Sequence, residues 1–253
     1  MLKKRLKNFA KSNFILFLIA NYIKNINNIL RGHLALVSAN DVLEIFGQKC
    51  KEVQFVQVGS NDGKKNDPLN KFIISYNWHG ILIEPIQENF KKLTETYNNY
   101  SGNLILENIA IATKKSILDF YYIENIKDDE PDWYDQVGSF DKETFFKNIS
   151  VHKELLKRVG IRKVQAENIN EILKKNGFNN IDLLHIDAEG YDFRIISSLN
   201  FQKYLPALIL YEEEWLSHSD QLECRKLLKT KGYYSLKSGS DIICINKKYL
   251  LKR

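Results

Sequence analysis

Two glycines four residues apart, a glutamate 21 residues further on and three carboxylates within six residues are the parts of this sequence equipped for chemistry. The apolar run VQFVQV (53–58) stops abruptly against GSNDG, residues Gly59, Ser60, Asn61, Asp62 and Gly63. The glycines permit positive φ and close backbone approach, and exposed amides in such a loop can hold an anion such as a carboxylate. A plain strand-to-helix turn would look the same. GILIEP (80–85) places Glu84 at a strand end, where an acid can accept hydrogen bonds from both ribose hydroxyls of an adenosine cofactor. Taken alone, Glu84 could equally be an acid favoured at a helix N-terminus. In IDLLHIDAEGYDF (181–193), strand alternation puts Ile181, Leu183, His185 and Asp187 on one face. Asp187, Glu189 and Asp192 repel one another unless a cation, a substrate hydroxyl or a sulfonium compensates, or Glu189 and Asp192 merely cap the next helix. His185 is either a satisfied core histidine or a base.

These groups need a scaffold that brings strand ends together. Strands are expected at 53–58, 80–84, 103–111, 116–123, 181–187, 207–212, 232–237 and 241–246. Helices are expected at 68–77, 86–98, 168–176, 192–199 and 219–230, after a short one in SANDVLEIFGQ capped by Ser38 or Asn40. Such alternation means α/β with a parallel sheet covered on both faces, whose ligands sit beyond the carboxyl ends of the strands. The last two strands, joined by a Gly-Ser turn, should pair antiparallel at the sheet edge. Residues 124–160 are too long for a simple connection and form a candidate substrate lid.

At 253 residues, with 44% hydrophobic and 27% charged, the chain is an ordinary globular domain of 34–253 preceded by an arm of 1–33. The net charge of +6 comes from that arm: seven basic residues precede Asp41, the first acid, and removing them from the 37 leaves 30 basic against 31 acidic. A near-neutral domain argues against nucleic acid as partner. So does the lack of an Asn- or Asp-Pro-Pro-aromatic segment or a Pro-Cys pair, since the four prolines are never adjacent and none precedes a cysteine. The arm has apolar or small residues at helical steps, including Leu2, Leu6, Phe9, Leu16, Ala20, Ile23 and Leu30. Residues 1–31 therefore suit peripheral contact with anionic lipid, or docking on the domain or a partner, while the apolar run Phe14–Ala20 is too short to span a bilayer. Three scattered cysteines without a CxxC pair point to a reducing, cytoplasmic setting, with contact at the inner membrane face left open.

The ordered set VQVGSNDG, ILIEP, NIAIA, DLLHIDAEGYD and LILYEE, spread over residues 53–246, resembles the FkbM family of S-adenosylmethionine-dependent methyltransferases. The resemblance implies a class I methyltransferase Rossmann-like fold: a mostly parallel seven-stranded sheet whose last strand is antiparallel. It also implies O-methyl transfer to a hydroxyl of a sugar, glycolipid or polysaccharide. Carried over by position, Gly59, Ser60, Asn61, Asp62 and Gly63 border the methionine moiety, Glu84 binds the ribose, and Asn108 and Ala110 lie near the adenine. Asp187 and Glu189 face the methyl group and the acceptor, with His185 a further candidate base. GSFDKE around Ser139, with His152 beyond it, is similar to the acceptor-side insertion of one branch of the family. This chain departs from many members in having Gln57 where they carry Asp, and His185 where they carry Lys. Asp187, Glu189 and Asp192 could ligate a divalent cation, although no metal is needed for the expected chemistry. The acids 212–214 either line the acceptor side or face solvent. A partner-binding domain without catalysis and a nicotinamide-dependent sugar oxidoreductase are the alternatives. The latter is disfavoured because the third glycine of a dinucleotide loop is missing.

Overall fold

In a computed structural model of the chain, the described residues are 38–251, apart from 51, 128, 132, 133, 135 and 136. The expected arm therefore lies outside the described residues. Helix α1 (Ala39–Lys49) begins at a capping box: Ser38 is the cap, and its hydroxyl accepts from the Asp41 amide. β1 (Gln54–Val58), α2 (Asn70–Tyr76), β2 (His79–Ile83), α3 (Gln87–Thr96) and β3 (Leu104–Glu107) follow. The same main sheet then takes β8 (Leu183–Ile186), β9 (Leu208–Glu212), β10 (Tyr233–Ser238) and β11 (Asp241–Asn246), in the order β10-β11-β9-β8-β1-β2-β3. Only β11 runs antiparallel to its neighbours. The terminal hairpin is thus at the edge, with β10 outermost and β11 tucked against β9. Strand order and polarity are those of the class I methyltransferase Rossmann-like fold.

Two apolar layers cover the sheet. On one face Val56, Ile81, Leu184 and Ile209 pack with α5 (Ile169–Lys175), α6 (Asp192–Ser198) and α7 (His218–Thr230). On the other, Phe55, Leu82, Leu183, Leu210 and Ile243 pack with α1, α2 and α3 around the fully buried Trp78. Each such buried side chain contributes about 1.5–3 kcal/mol relative to exposure, so this sandwich fixes the strand tips rigidly. The second face changes character toward those tips. Phe55 gives way to Gln57, Leu183 to His185 and then Asp187, Leu210 to Glu212, and Ile243 to Asp241. Strand alternation aligns these five polar residues along the carboxyl-end rim on one side of the sheet. The chain leaves β1 toward β2 on one side and returns through β8 on the other, so the topological switch lies between β1 and β8.

The expected strand 103–111 is divided. β3 ends at Glu107, and β4 (Ala110–Ala112) leaves the main sheet to pair in parallel with β7 (Val159–Asn168). The break falls at Asn108, whose amide group donates to the Glu84 carbonyl at 2.8 Å instead of continuing the ladder. β7 also pairs antiparallel with β5 (Ser116–Ile123), and β6 (Gly138–Ser139) completes a second, four-stranded sheet that the sequence reading did not foresee. Within 124–160, α4 (Lys142–Ile149) and a 3-10 turn (Leu155–Arg158) pack a small core of Ile123, Phe145, Ile149 and Leu155. α8 (Lys247–Leu251) closes the described chain.

Candidate active site

A cavity of about 620 Å³ opens at the β1–β8 switch, between the main sheet and the second one. Small-molecule sites fall at roughly 300–1,000 Å³. Gly59, Ser60, Asn61, Glu84, Ala110, His185, Asp187 and Glu189 all line it, whereas Asp62, Gly63 and Asn108 do not.

The tips of three strands are locked together here. The Gly59 and Ser60 amides both donate to the Ile83 carbonyl at 3.0 Å, and the Ser60 hydroxyl accepts from the Ile83 amide at 3.1 Å. Gly59 has φ +78, and a Cβ there would stand 1.9 Å from the Asp187 carbonyl oxygen. Only glycine lets β1 approach β8 so closely. Gly63, at φ +67, instead packs its bare α-carbon on Leu93 of α3 and on Tyr97 just beyond it. The expected anion-gripping role of the loop amides needs correction. The amides of Gly59, Ser60, Asn61 and Gly63 all bond protein acceptors, so this loop aligns the rim instead of presenting free donors. Asp62 likewise turns into its own loop, accepting from the Lys64 and Lys65 amides.

Glu84 is held from two sides. Its Oε2 accepts from the Asn61 amide and its Oε1 from the Ile86 amide, each at 2.8 Å. Each oxygen keeps a second lone pair, the pattern a vicinal diol requires. Burial pushes this carboxyl up to about 7, against the lowering effect of the two amides. The glycine loop and Glu84 therefore open onto one cavity, through a direct hydrogen bond.

Beside it, one carboxylate oxygen each from Asp187, Glu189 and Glu212 fall within 4.8 Å of one another. Burial raises all three, Asp187 to about 6 and Glu212 to about 9; repulsion from Asp241 and Asp67 adds to it at Asp187, and repulsion from Asp187 adds to it at Glu189 and Glu212. Asp187 is exposed to the cavity, where solvent can screen its charge. Glu189 sits at φ 48, a left-handed backbone uncommon for a non-glycine residue, with its carbonyl held by the Ser139 hydroxyl at 2.8 Å. Asp192 does not join the cluster as expected. It is fully buried, and its two oxygens accept from the Ala188 and Glu212 amides at 3.3 Å, bracing the β8 loop against β9. Glu212 takes its place. Of the other acids in that run, Glu213 is buried and paired with Arg225, and Glu214 is exposed. Burial drives His185 down to about 4, so it is a neutral imidazole at physiological pH and a weak base.

Residues 57–234 match the family model described as the Methyltransferase FkbM domain. The chain belongs to this methyltransferase family. No curated protein matches it. Among solved structures, it is similar to the methyltransferase FkbM from Methylobacillus flagellatus KT, at 11% identity and TM-score 0.48 over 77% of this chain. It spans 44% of that protein's length. It is also similar to precorrin-6y C5,15-methyltransferase from Geobacter metallireducens GS-15, at 8% identity and TM-score 0.39, with 83% of this chain and 92% of that one covered. A putative class I S-adenosylmethionine-dependent methyltransferase from Listeria monocytogenes aligns at 10% identity and TM-score 0.35, covering 95% of this chain and 68% of that one.

In this FkbM domain the outer cavity wall comes from the second sheet, which sequence reasoning missed. Phe120, Tyr122 and Phe140 line it, with Phe120 and Phe140 edge to face at 4.9 Å. Arg162 of β7 lies 4.2 Å over the Tyr122 ring and bonds Glu88 at 2.6 Å. Its charge, with Lys163 beside it, obscured the strand pattern of β7. Ser139 is buried and holds the Glu189 carbonyl, while His152 does not line the cavity but packs behind Tyr134, which does, beside Glu154. Asp67 lines the site without having been expected there, and Glu212, one of the acids 212–214 read as either lining the acceptor side or facing solvent, borders it. Asp67 had one visible signal, its position just before Pro68 at a helix start.

Proposed function

We propose that this protein transfers a methyl group from S-adenosylmethionine to a hydroxyl of a sugar, glycolipid or polysaccharide. The observation that carries the reading is Glu84, aimed by the Asn61 and Ile86 amides into the same cavity as the Asp187–Glu189–Glu212 cluster. The residues fit the donor in chemistry: Glu84 suits the ribose diol, the apolar wall of Ile109, Ala110, Ile111 and Phe120 suits a flat base, and the acid cluster suits a cationic sulfonium. S-adenosylmethionine supplies an electrophilic methyl group that needs no further activation. What remains for the protein is to hold the acceptor oxygen in line and to take its proton as charge develops. Asp187 and Glu189 stand at the strand exit for that task. Their raised proton affinity makes each a stronger base once ionised. His185 is better suited to orienting than to proton removal. The rings of Phe120, Tyr122 and Phe140 offer the apolar face of a sugar something to stack on, while the carboxylates accept from its hydroxyls.

Calorimetry with S-adenosylmethionine against NAD tests the donor: binding of the former alone is expected, with loss of at least tenfold in affinity in Glu84→Ala. Labelled methyl transfer to a panel of glycan and glycolipid extracts tests the acceptor. Asp187→Asn is expected to lower turnover by about 10²–10⁴, the range for removing a positioned general base. Running the panel with a chelator decides whether the three carboxylates act through a divalent cation. Transfer to a carbon or nitrogen acceptor with the hydroxyl panel silent would overturn the O-methyl reading.

A further inference from the structure

At the inner end of the cavity, Asp67 and Gln57 form an arrangement that the fold alone does not require. Asp67 Oδ1 accepts from three donors: the Leu69 amide at 2.7 Å, the Asn70 amide at 3.2 Å and Gln57 Nε2 at 3.1 Å. One oxygen therefore does the whole structural task of tying the turn that leads into α2 and anchoring the Gln57 side chain. Asp67 Oδ2 has no hydrogen-bond partner, and neither has Gln57 Oε1. Both atoms are shut off from bulk water, and both residues line the cavity. Gln57 is 1% exposed. A buried acceptor without a donor costs about 1–3 kcal/mol, so two side by side are an energetic liability unless a donor arrives through the cavity. Burial raises the proton affinity of Asp67, and the charge of Asp62, a second acid, adds to it.

These two acceptors, one of them anionic, match a ligand group that is cationic and carries several N–H donors. We propose that Asp67 and Gln57 bind the α-ammonium group of the methyl donor's amino-acid tail. The inference rests on the donor proposed above. It answers the absence of an acid at position 57: the charge comes from the loop before α2, ten residues along the chain, and reaches the site through its contact with Gln57. Asp67 is thus a cofactor-positioning residue, and its removal should act on the tail of the donor without disturbing the nucleoside end at Glu84.

Two ligands separate those ends: S-adenosylhomocysteine, which has the tail and its ammonium, and 5′-methylthioadenosine, which lacks both. Calorimetry on the full chain with each ligand is the test. Asp67→Asn keeps an oxygen to hold the turn before α2 and is expected to weaken S-adenosylhomocysteine at least tenfold while leaving 5′-methylthioadenosine within twofold of wild type, which also reports a folded variant. Gln57→Glu placed on Asp67→Asn restores a carboxylate and should recover most of the lost affinity. Glu84→Ala should weaken both ligands together. Equal effects of Asp67→Asn on the two ligands, or no effect on either, would overturn the proposal. Wild-type protein that binds neither nucleoside would remove the methyl-donor reading itself, and this subsite with it.

Discussion

Glu84 shows how a single carboxyl is tuned by its neighbours. Two backbone amides favour its ionised form, yet desolvation outweighs them and leaves it near neutrality, at about 7. Ionised, it offers a lone pair on each oxygen to a diol; protonated, one oxygen loses acceptor capacity. In the proposed ribose role of Glu84, donor binding selects the ionised form, and affinity should rise with pH through the neutral range. A group titrating at about 7 is roughly one-tenth ionised at pH 6 and nine-tenths at pH 8, which bounds the gain at roughly tenfold. Calorimetric titration of S-adenosylhomocysteine at these two pH values checks it. Glu84→Gln, which cannot titrate, should bind more weakly and lose this component of the pH response. An unchanged pH slope in that variant would assign the titration to the Asp187–Glu189–Glu212 cluster.

At the scale of elements, the site depends on how closely β1 and β8 approach. Gly59 and Gly63 both have positive φ, but a side chain at each meets different resistance. At Gly59 the obstacle is the Asp187 backbone oxygen, which cannot yield without moving the β8 tip. At Gly63 it is the Leu93 and Tyr97 side chains, which can shift. Gly63→Ala is expected to destabilise by about 1–3 kcal/mol with donor affinity changed little; Gly59→Ala should exceed that and also lose donor binding, because Asp187 is displaced. Urea denaturation midpoints together with calorimetry distinguish the two. This contrast also shows what the sequence disclosed. GSNDG after an apolar run, Glu84 ending its strand and Asp187 ending another were legible because strand alternation and chain punctuation act locally. The division of residues 103–111 was not, since Asn108 breaks the ladder by bonding a carbonyl on another strand. β7 was hidden because Ile161 faces solvent and Arg162 and Lys163 interrupt its alternation, while its partner β5 lies some 40 residues earlier. Neither Asp67's divided oxygens nor Glu212's place in the cluster could be read from spacing, because both arise from packing between distant segments.

Across the whole molecule, the carboxyls of Glu84, Asp187, Glu189, Asp192 and Glu212 all bind protons more tightly in the folded state than in an open chain. Their stabilising contribution is complete below the ordinary carboxylate range and is lost as pH rises through the folded values, from about 6 for Asp187 to about 9 for Glu212. His185 works in the opposite sense, since its depressed value makes acid destabilising, but above pH 6.5 it is neutral in both states and drops out. Between pH 6.5 and pH 9 the ligand-free protein should therefore lose stability, by on the order of 1–3 kcal/mol after allowance for water in the cavity. A cationic donor counters the repulsion that causes the loss, so S-adenosylmethionine should raise the melting temperature more at pH 8.5 than at pH 6.5. Binding should also release protons at pH 7, visible as a dependence of calorimetric heat on the ionisation enthalpy of the buffer. A melting temperature that is flat over this range, with no proton released on binding, would mean that the acid cluster is relaxed without a ligand and that its charge does not serve to hold the sulfonium.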